Sequence, residues 1–184
     1  MIEAVIKRFS KGKHPERICL QDPREMKLLY ETAGLVENGL IVEIGRWKGG
    51  SLVLLCLGSP SSKVISIDSD AANNQFAKAL LKSYSIGRSR YSIRDATSQI
   101  VSDWDGGPID LLLVDGCHER KAVYADLELW VPRIKKEGWL IAHDVYCHRL
   151  SGPSLAIAEY RKEHPKQFIH IKDVKTSMLL RKLV

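Results

Sequence analysis

Five acids stand where short apolar runs end: Glu43, Asp68, Asp95, Asp115 and Asp144. A carboxylate in such a place can accept hydrogen bonds from ligand hydroxyls, hold a cation, or cap the helix that follows. Capping stays open for Asp95 and Asp115 taken singly; five acids in succession are harder to explain that way. Histidines accompany two of them. In "LLLVDGCHER" His118 comes three residues after Asp115, and His143 directly precedes Asp144, with His148 on the loop beyond. A neutral imidazole can accept a proton at pH 7, so His118 is the candidate base; an exposed histidine capping the next helix is the alternative. The stretch "EIGRWKGGS" adds Gly45, Gly49 and Ser51, a loop whose backbone can approach a ligand. It lacks the second glycine of G-x-G-x-x-G, which disfavours a nicotinamide dinucleotide, and no G-K-[ST] follows it, which disfavours P-loop chemistry.

These residues need elements to position them. Leu40–Ile44, Val64–Ile67, Tyr91–Ile93, Ile109–Val114 and Trp139–Ala142 read as strands, mostly apolar and so buried on both faces. Helices are expected between them at Ser51–Leu57, Ala71–Tyr84, Thr97–Trp104 and Ala122–Lys135. The last of these has an apolar face of Val123, Leu127, Trp130, Val131 and Ile134. A helix over Ser154–Glu163 and strands at Phe168–Ile171 and Met178–Leu180 close the chain. Before the first strand, Ile2, Val5, Ile6 and Phe9 mark a short amphipathic helix, able to dock on the domain or on a second copy to make a homodimer. A further helix starts with Asp22 as N-cap and Pro23 at its first position and stops at Gly34. Strands alternating with helices predict an α/β fold, a doubly wound and mostly parallel seven-stranded sheet with helices on both faces. The expected organisation is one domain over 1–184: a helical extension at 1–38, a ligand-binding core at 39–145, and a final helix and strand pair at 146–184.

Composition limits the partners. No apolar run reaches the length of a membrane helix, and Glu3, Lys7 and Arg8 interrupt any signal-like segment. The four cysteines form no C-x-x-C pair, so neither a zinc site nor a disulfide framework is indicated, and reduced thiols in the cytoplasm are the plain expectation. The net charge of +6 is uneven: 15 basic against 17 acidic side chains lie between residues 25 and 160, so the basic excess sits in the terminal segments. Such a rim either keeps the surface soluble or attracts nucleic acid or another anion.

The stretches "LIVEIGRWKGGS", "VISID", "RDA" and "DLLLVDGCHERKAVYADLELWVPRIKKEGWLIAHDV" resemble the class I S-adenosylmethionine-dependent methyltransferases over residues 39 to about 145. The longest is similar to the branch of small O-methyltransferases that includes the cephalosporin-hydroxylase-like group. The resemblance implies a Rossmann-like methyltransferase fold with S-adenosyl-L-methionine as cofactor. It gives Gly45 and Gly49 the methionine end of that cofactor, Ser51 its carboxylate, Asp68 the ribose hydroxyls, and Asp95 with Ala96 the adenine side. Glu43 belongs to the same cofactor-binding set, where it orders the loop from behind. Asp115 contacts the cofactor beside the methyl group or ligates a metal, and His118 with Asp115 forms the catalytic pair.

Related enzymes hold Mg²⁺ with an acid at Asp115 and a pair after the next strand, which here is His143-Asp144. An imidazole in that set weakens Mg²⁺, which prefers oxygen, and favours ions that accept nitrogen, such as Mn²⁺, Fe²⁺ or Zn²⁺. A metal-free site with His143 bonded to the substrate stays open. On this reading Asp115 and Asp144 face one another on neighbouring parallel strands, with a divalent ion or a protonated histidine between them. The expected activity is O-methylation of a small hydroxylated acceptor, in a pocket left open or completed by a partner subunit. An RNA methyltransferase and a cofactor-binding scaffold without catalysis are the alternatives.

Overall fold

The structure, a computed structural model, describes residues 2–13, 16–99, 104 and 106–184. Seven strands form one sheet: β1 (Leu40–Ile44), β2 (Lys63–Asp68), β3 (Tyr91–Asp95), β4 (Ile109–Val114), β5 (Ile134–Ala142), β6 (Phe168–Val174) and β7 (Ser177–Lys182). Their spatial order is β3-β2-β1-β4-β5-β7-β6. The first five run parallel, and β7 lies antiparallel between β5 and β6. The direction of winding reverses between β1 and β4, the place where open α/β sheets form a crevice beyond their carboxyl ends.

Both faces of the sheet are covered, which accounts for runs such as Leu111–Val114. Leu111 and Leu113 join one core with Ile41, Ile141 and Leu179; Leu112 and Val114 join the other with Val42, Leu140 and Leu180. Successive strand residues point to opposite faces, so a strand between two helical layers has no polar side to spare. The first core is roofed by α1 (Ile2–Phe9), α2 (Pro23–Ala33), α3 (Gly50–Gly58) and α4 (Asn74–Ser83), the second by α5 (Arg120–Trp130) and α6 (Ser151–Glu163). The apolar face of α1, Val5, Ile6 and Phe9, is buried in the chain's own core, the first of the two docking modes its pattern allowed. No helix among the described residues is long and apolar enough to cross a membrane.

Local chemistry sets the element ends. Asp22 caps α2 with a full capping box, its side chain accepting from the first turn while Glu25 Oε2 accepts from the Asp22 N–H at 2.8 Å. The expected helix to Lys135 stops instead at Trp130: Pro132 cannot supply the next N–H, a 3₁₀ turn covers Val131–Arg133, and Ile134 already belongs to β5. The same apolar residues are buried either way, so hydrophobic spacing alone could not place the break. Strand β5 thus begins five residues before the expected Trp139, across a register shift opposite Ile109 and Leu111. Residues 71–84 divide into a 3₁₀ turn at Ala71–Asn73 and α4, and α6 starts at Ser151 rather than Ser154. Of the helix expected over 97–104, residues 100–103 lie outside the described residues; Thr97, Ser98, Gln99 and Trp104 are not helical.

The strand ends are tied into a row. Ala96 N–H donates to Asp68 O, Gly45 N–H to Ile67 O, Asp115 N–H to Ile44 O and His143 N–H to Val114 O, all between 2.8 and 3.0 Å. Those bonds bring the acids foreseen at the strand ends to one edge of the sheet.

Candidate active site

Along that edge runs a cavity of about 580 Å³, lined from Ala96–Gln99 past Asp68 and the Gly45–Ser51 loop to Asp115, His118, His143 and Asp144. Its size suits a cofactor or metabolite. The loop between β1 and α3 is shaped by two left-handed glycines. Gly45 has φ +89°, and a Cβ there would lie 2.0 Å from the Asp115 carbonyl oxygen; Gly49 has φ +82° and abuts Ala77. Gly45 is therefore needed for the close passage of the β4–α5 loop as well as for any ligand. Asp68 holds the loop from the β2 end: its Oδ2 accepts from the N–H groups of Arg46 at 2.7 Å and Trp47 at 3.0 Å, and Oδ1 from Asp70 at 2.8 Å. A carboxylate has about four acceptor positions, so Asp68 keeps capacity for a ligand hydroxyl.

Glu43 is wholly buried behind the loop, where Ser51 and Ser66 donate to its two oxygens. Burial raises its pKa to about 7, the two serine hydrogen bonds opposing the rise. Ser51 lines the cavity, but its single O–H is spent on Glu43 and not available to a ligand carboxylate. The N-terminus of α3 remains for that task. Asp95 is likewise engaged elsewhere. Its Oδ1 accepts from Asn74 Nδ2 at 2.6 Å and lies 3.3 Å from Nη2 of the buried Arg46. It is absent from the cavity lining, whereas Ala96 is part of it.

At the other end three carboxylates and two histidines interlock. His143 Nδ1 stands 3.0 Å from Asp115 Oδ1 and 3.3 Å from Asp144 Oδ2, and its Nε2 stands 3.4 Å from Glu25 Oε2. These are ion-pair contacts, since neither ring nitrogen has an aligned hydrogen bond among the described residues. Burial favours the neutral ring, but Asp115, Asp144 and Glu25 outweigh it and raise the pKa far above the imidazole range, so His143 is a cation. His118 Nε2 lies 3.0 Å from the same Asp144 Oδ2, and that contact raises the His118 pKa against partial burial. Asp144 adopts φ +56°, unusual for a residue with a side chain; burial pushes its carboxyl up, and the two histidines hold it well below the ordinary range.

Two members of this cluster come from the N-terminal extension and carry no local sequence signal. Gln21 Nε2 donates to Asp115 Oδ2 at 2.8 Å. Glu25, besides its capping role, accepts from Thr176 N–H at 2.9 Å, Thr176 Oγ1 at 2.7 Å and Ser177 Oγ at 3.0 Å.

A family model described as "Methyltransferase domain" matches residues 42–145, the part of the chain that builds this edge.

The chain belongs to the methyltransferase-domain family.

A curated relative, an uncharacterized protein of Acanthamoeba polyphaga mimivirus, is 30% identical over 118 residues, which is 60% of this chain. The match spans about half of that relative, 53%. Among solved structures, S-adenosylhomocysteine-bound methyltransferase PaMTH1 of Podospora anserina superposes with TM-score 0.78 at 13% identity, over 98% of this chain and 88% of that one. A putative caffeoyl-CoA O-methyltransferase of Staphylococcus aureus gives 0.73 at 16%, over 90% and 86%. A putative rRNA methylase of Clostridium thermocellum gives 0.72 at 11%, over 90% and 99%. Likenesses at these identities carry the fold, which is the class I methyltransferase type.

In this family member Asp115, His118 and Asp144 are the acidic and imidazole donors whose ligand atoms converge, all within 4.8 Å of one another. The metal set read from sequence had His143 where the structure brings His118; His143 instead bridges the two carboxylates and Glu25. Two carboxylates and one imidazole suit Mn²⁺, Fe²⁺ or Zn²⁺ better than Mg²⁺. A divalent ion held there would polarise an acceptor oxygen. It would also have to compete with the His143 cation for Asp115 and Asp144, and with Gln21 for Asp115.

Proposed function

We propose that the protein transfers the methyl group of S-adenosyl-L-methionine to a hydroxyl of a small acceptor, with His118 taking the proton. One observation carries this reading. A single cavity joins Gly45–Trp47, Gly50 and Asp68, suited to a nucleoside with an amino-acid tail, to the His118–Asp144 pair. The acceptor oxygen would attack the methyl carbon in line as the carbon–sulfur bond breaks, leaving a neutral thioether. Alignment of the two supplies much of the rate. The hydroxyl proton passes to His118: with Nε2–H directed at Asp144, the ring presents Nδ1 as the base, the same orienting logic a carboxylate exerts in hydrolytic triads. His143, in contact with both Asp115 and Asp144, balances their charge.

A second reading, methylation of RNA, draws on the rRNA methylase fold likeness and on the +6 net charge. Incubation with methyl-labelled donor and a panel of small phenols, polyols and transcribed rRNA fragments separates the two. Label on a small hydroxyl compound supports the first; label confined to RNA replaces it with the second.

A further inference from the structure

Asp126 is a buried acid without an evident structural purpose. It lies on α5 three residues after Val123 and four before Trp130, both in the sheet-facing core, so the helix carries a carboxyl into its own apolar stripe. The residue is 2% exposed, and what remains open faces the cavity alongside Ala122, one turn earlier. Ser98 Oγ donates to its Oδ1. Burial raises its pKa and Ser98 opposes the rise; among the described residues no cation balances it. An acid in that position is unfavourable unless something else bonds to it.

The order of the strand ends says what could. If the methyl donor lies along the sheet edge with its sulfonium near Asp115 and its ribose at Asp68, its base falls beyond Asp68 at the β3 end, against Ala96–Gln99. Asp126 borders that end of the cavity, and Asp95, the acid nearest in sequence, is committed to Arg46 and Asn74. Adenine presents acceptors at its ring nitrogens and one donor group, the 6-amino. With one oxygen held by Ser98, the other can serve only that donor.

We propose that Asp126 accepts a hydrogen bond from the 6-amino group of the donor's adenine and thereby selects adenine over a purine lacking it. The inference rests on the S-adenosylmethionine reading above and adds the residue that reads the base.

The test is calorimetric binding of S-adenosylhomocysteine and its 6-deamino analogue, the purine riboside, to the wild-type chain and to Asp126→Leu. Wild type should bind the deamino compound about 10- to 100-fold more weakly, the range for losing a hydrogen bond to an acidic group. Asp126→Leu should bind both compounds within about 3-fold of each other. Leucine replaces a buried acid by an apolar group of similar size; should it fail to fold, Asp126→Ala, which introduces no new bulk, gives the same readout. Equal binding of the two compounds to wild type overturns the proposal, and so does a preference that survives in the variant. Failure of both compounds to bind wild type would instead bring down the methyl-donor reading beneath it.

Discussion

Asp144 Oδ2 serves two histidines at once, at 3.0 Å from His118 Nε2 and 3.3 Å from His143 Nδ1. Since His118 must be neutral to accept a proton, and Asp144 raises its pKa from 6.5, kcat/KM should rise with increasing pH along a limb lying above the ordinary imidazole value. Asp144→Asn should move that limb to lower pH, and a limb that stays in place would show that another group titrates. His118→Ala should lower kcat by about 10²–10⁴-fold, the usual worth of a general base. Glu43 gives a second pH signature, in stability. Its folded pKa of about 7 exceeds the unfolded 4.5, so the folded chain holds this proton more tightly. Its stabilising effect is complete below about pH 4.5 and is lost as pH rises towards 7, on the order of 3 kcal/mol in all. Glu43→Gln should flatten the decline in melting temperature between pH 5 and 8; an unchanged decline would assign it elsewhere. Single residues were unequally legible. An acid on the apolar stripe of α5 is a readable anomaly, and Asp126 could have been found from it. Gln21 could not, because nothing near it in sequence points to Asp115, 94 residues away. Ser51 and Asp95 stood out along the chain, but their pairing with Glu43, Arg46 and Asn74 was not visible, and those partners decide which way each side chain is spent.

Helix α2 does more than close the N-terminal extension. Its Asp22-Pro23 start is a local signal and was legible; the reach of Glu25 to the β6–β7 turn and to His143 is a tertiary fact, spanning 151 residues to Thr176. Burial would raise the Glu25 pKa, but the His143 ring and the donors around it hold it at about 2. Glu25→Ala strands four donors and leaves the His143 cation short of a partner, so it should destabilise the fold by about 3–5 kcal/mol in urea titration. A loss under 1 kcal/mol would mean that the pairing seen here contributes little. Strands were legible from end to end where a mostly apolar run stops at a glycine or an acid, as Leu40–Ile44 does at Gly45 and Ile109–Val114 at Asp115. The α5–β5 junction was not, since Val131 and Ile134 fit a helical period as well as a 3₁₀ turn and a strand.

On the scale of the whole molecule, the doubly wound sheet was readable because its alternation of apolar runs and helices follows from burying both faces. The charge distribution bears on the partner. For a small acceptor, turnover should change by less than about 3-fold between 50 and 200 mM salt, whereas contacts to many phosphates would cost about 10³-fold or more. Chelation probes the cluster at the edge of the sheet. With His143 supplying the positive charge and His118 the base, turnover should survive chelation, and added Zn²⁺ or Mn²⁺ should inhibit by taking the His118 lone pair. Activity lost on chelation and restored by one ion would give proton removal to that metal instead. Beneath all of these lies the identity of the cofactor, and calorimetric titration with S-adenosylhomocysteine and with NAD measures it directly. S-adenosylhomocysteine should bind at one site per chain and NAD should give no heat; binding of NAD with none of S-adenosylhomocysteine would overturn the methyl-donor assignment.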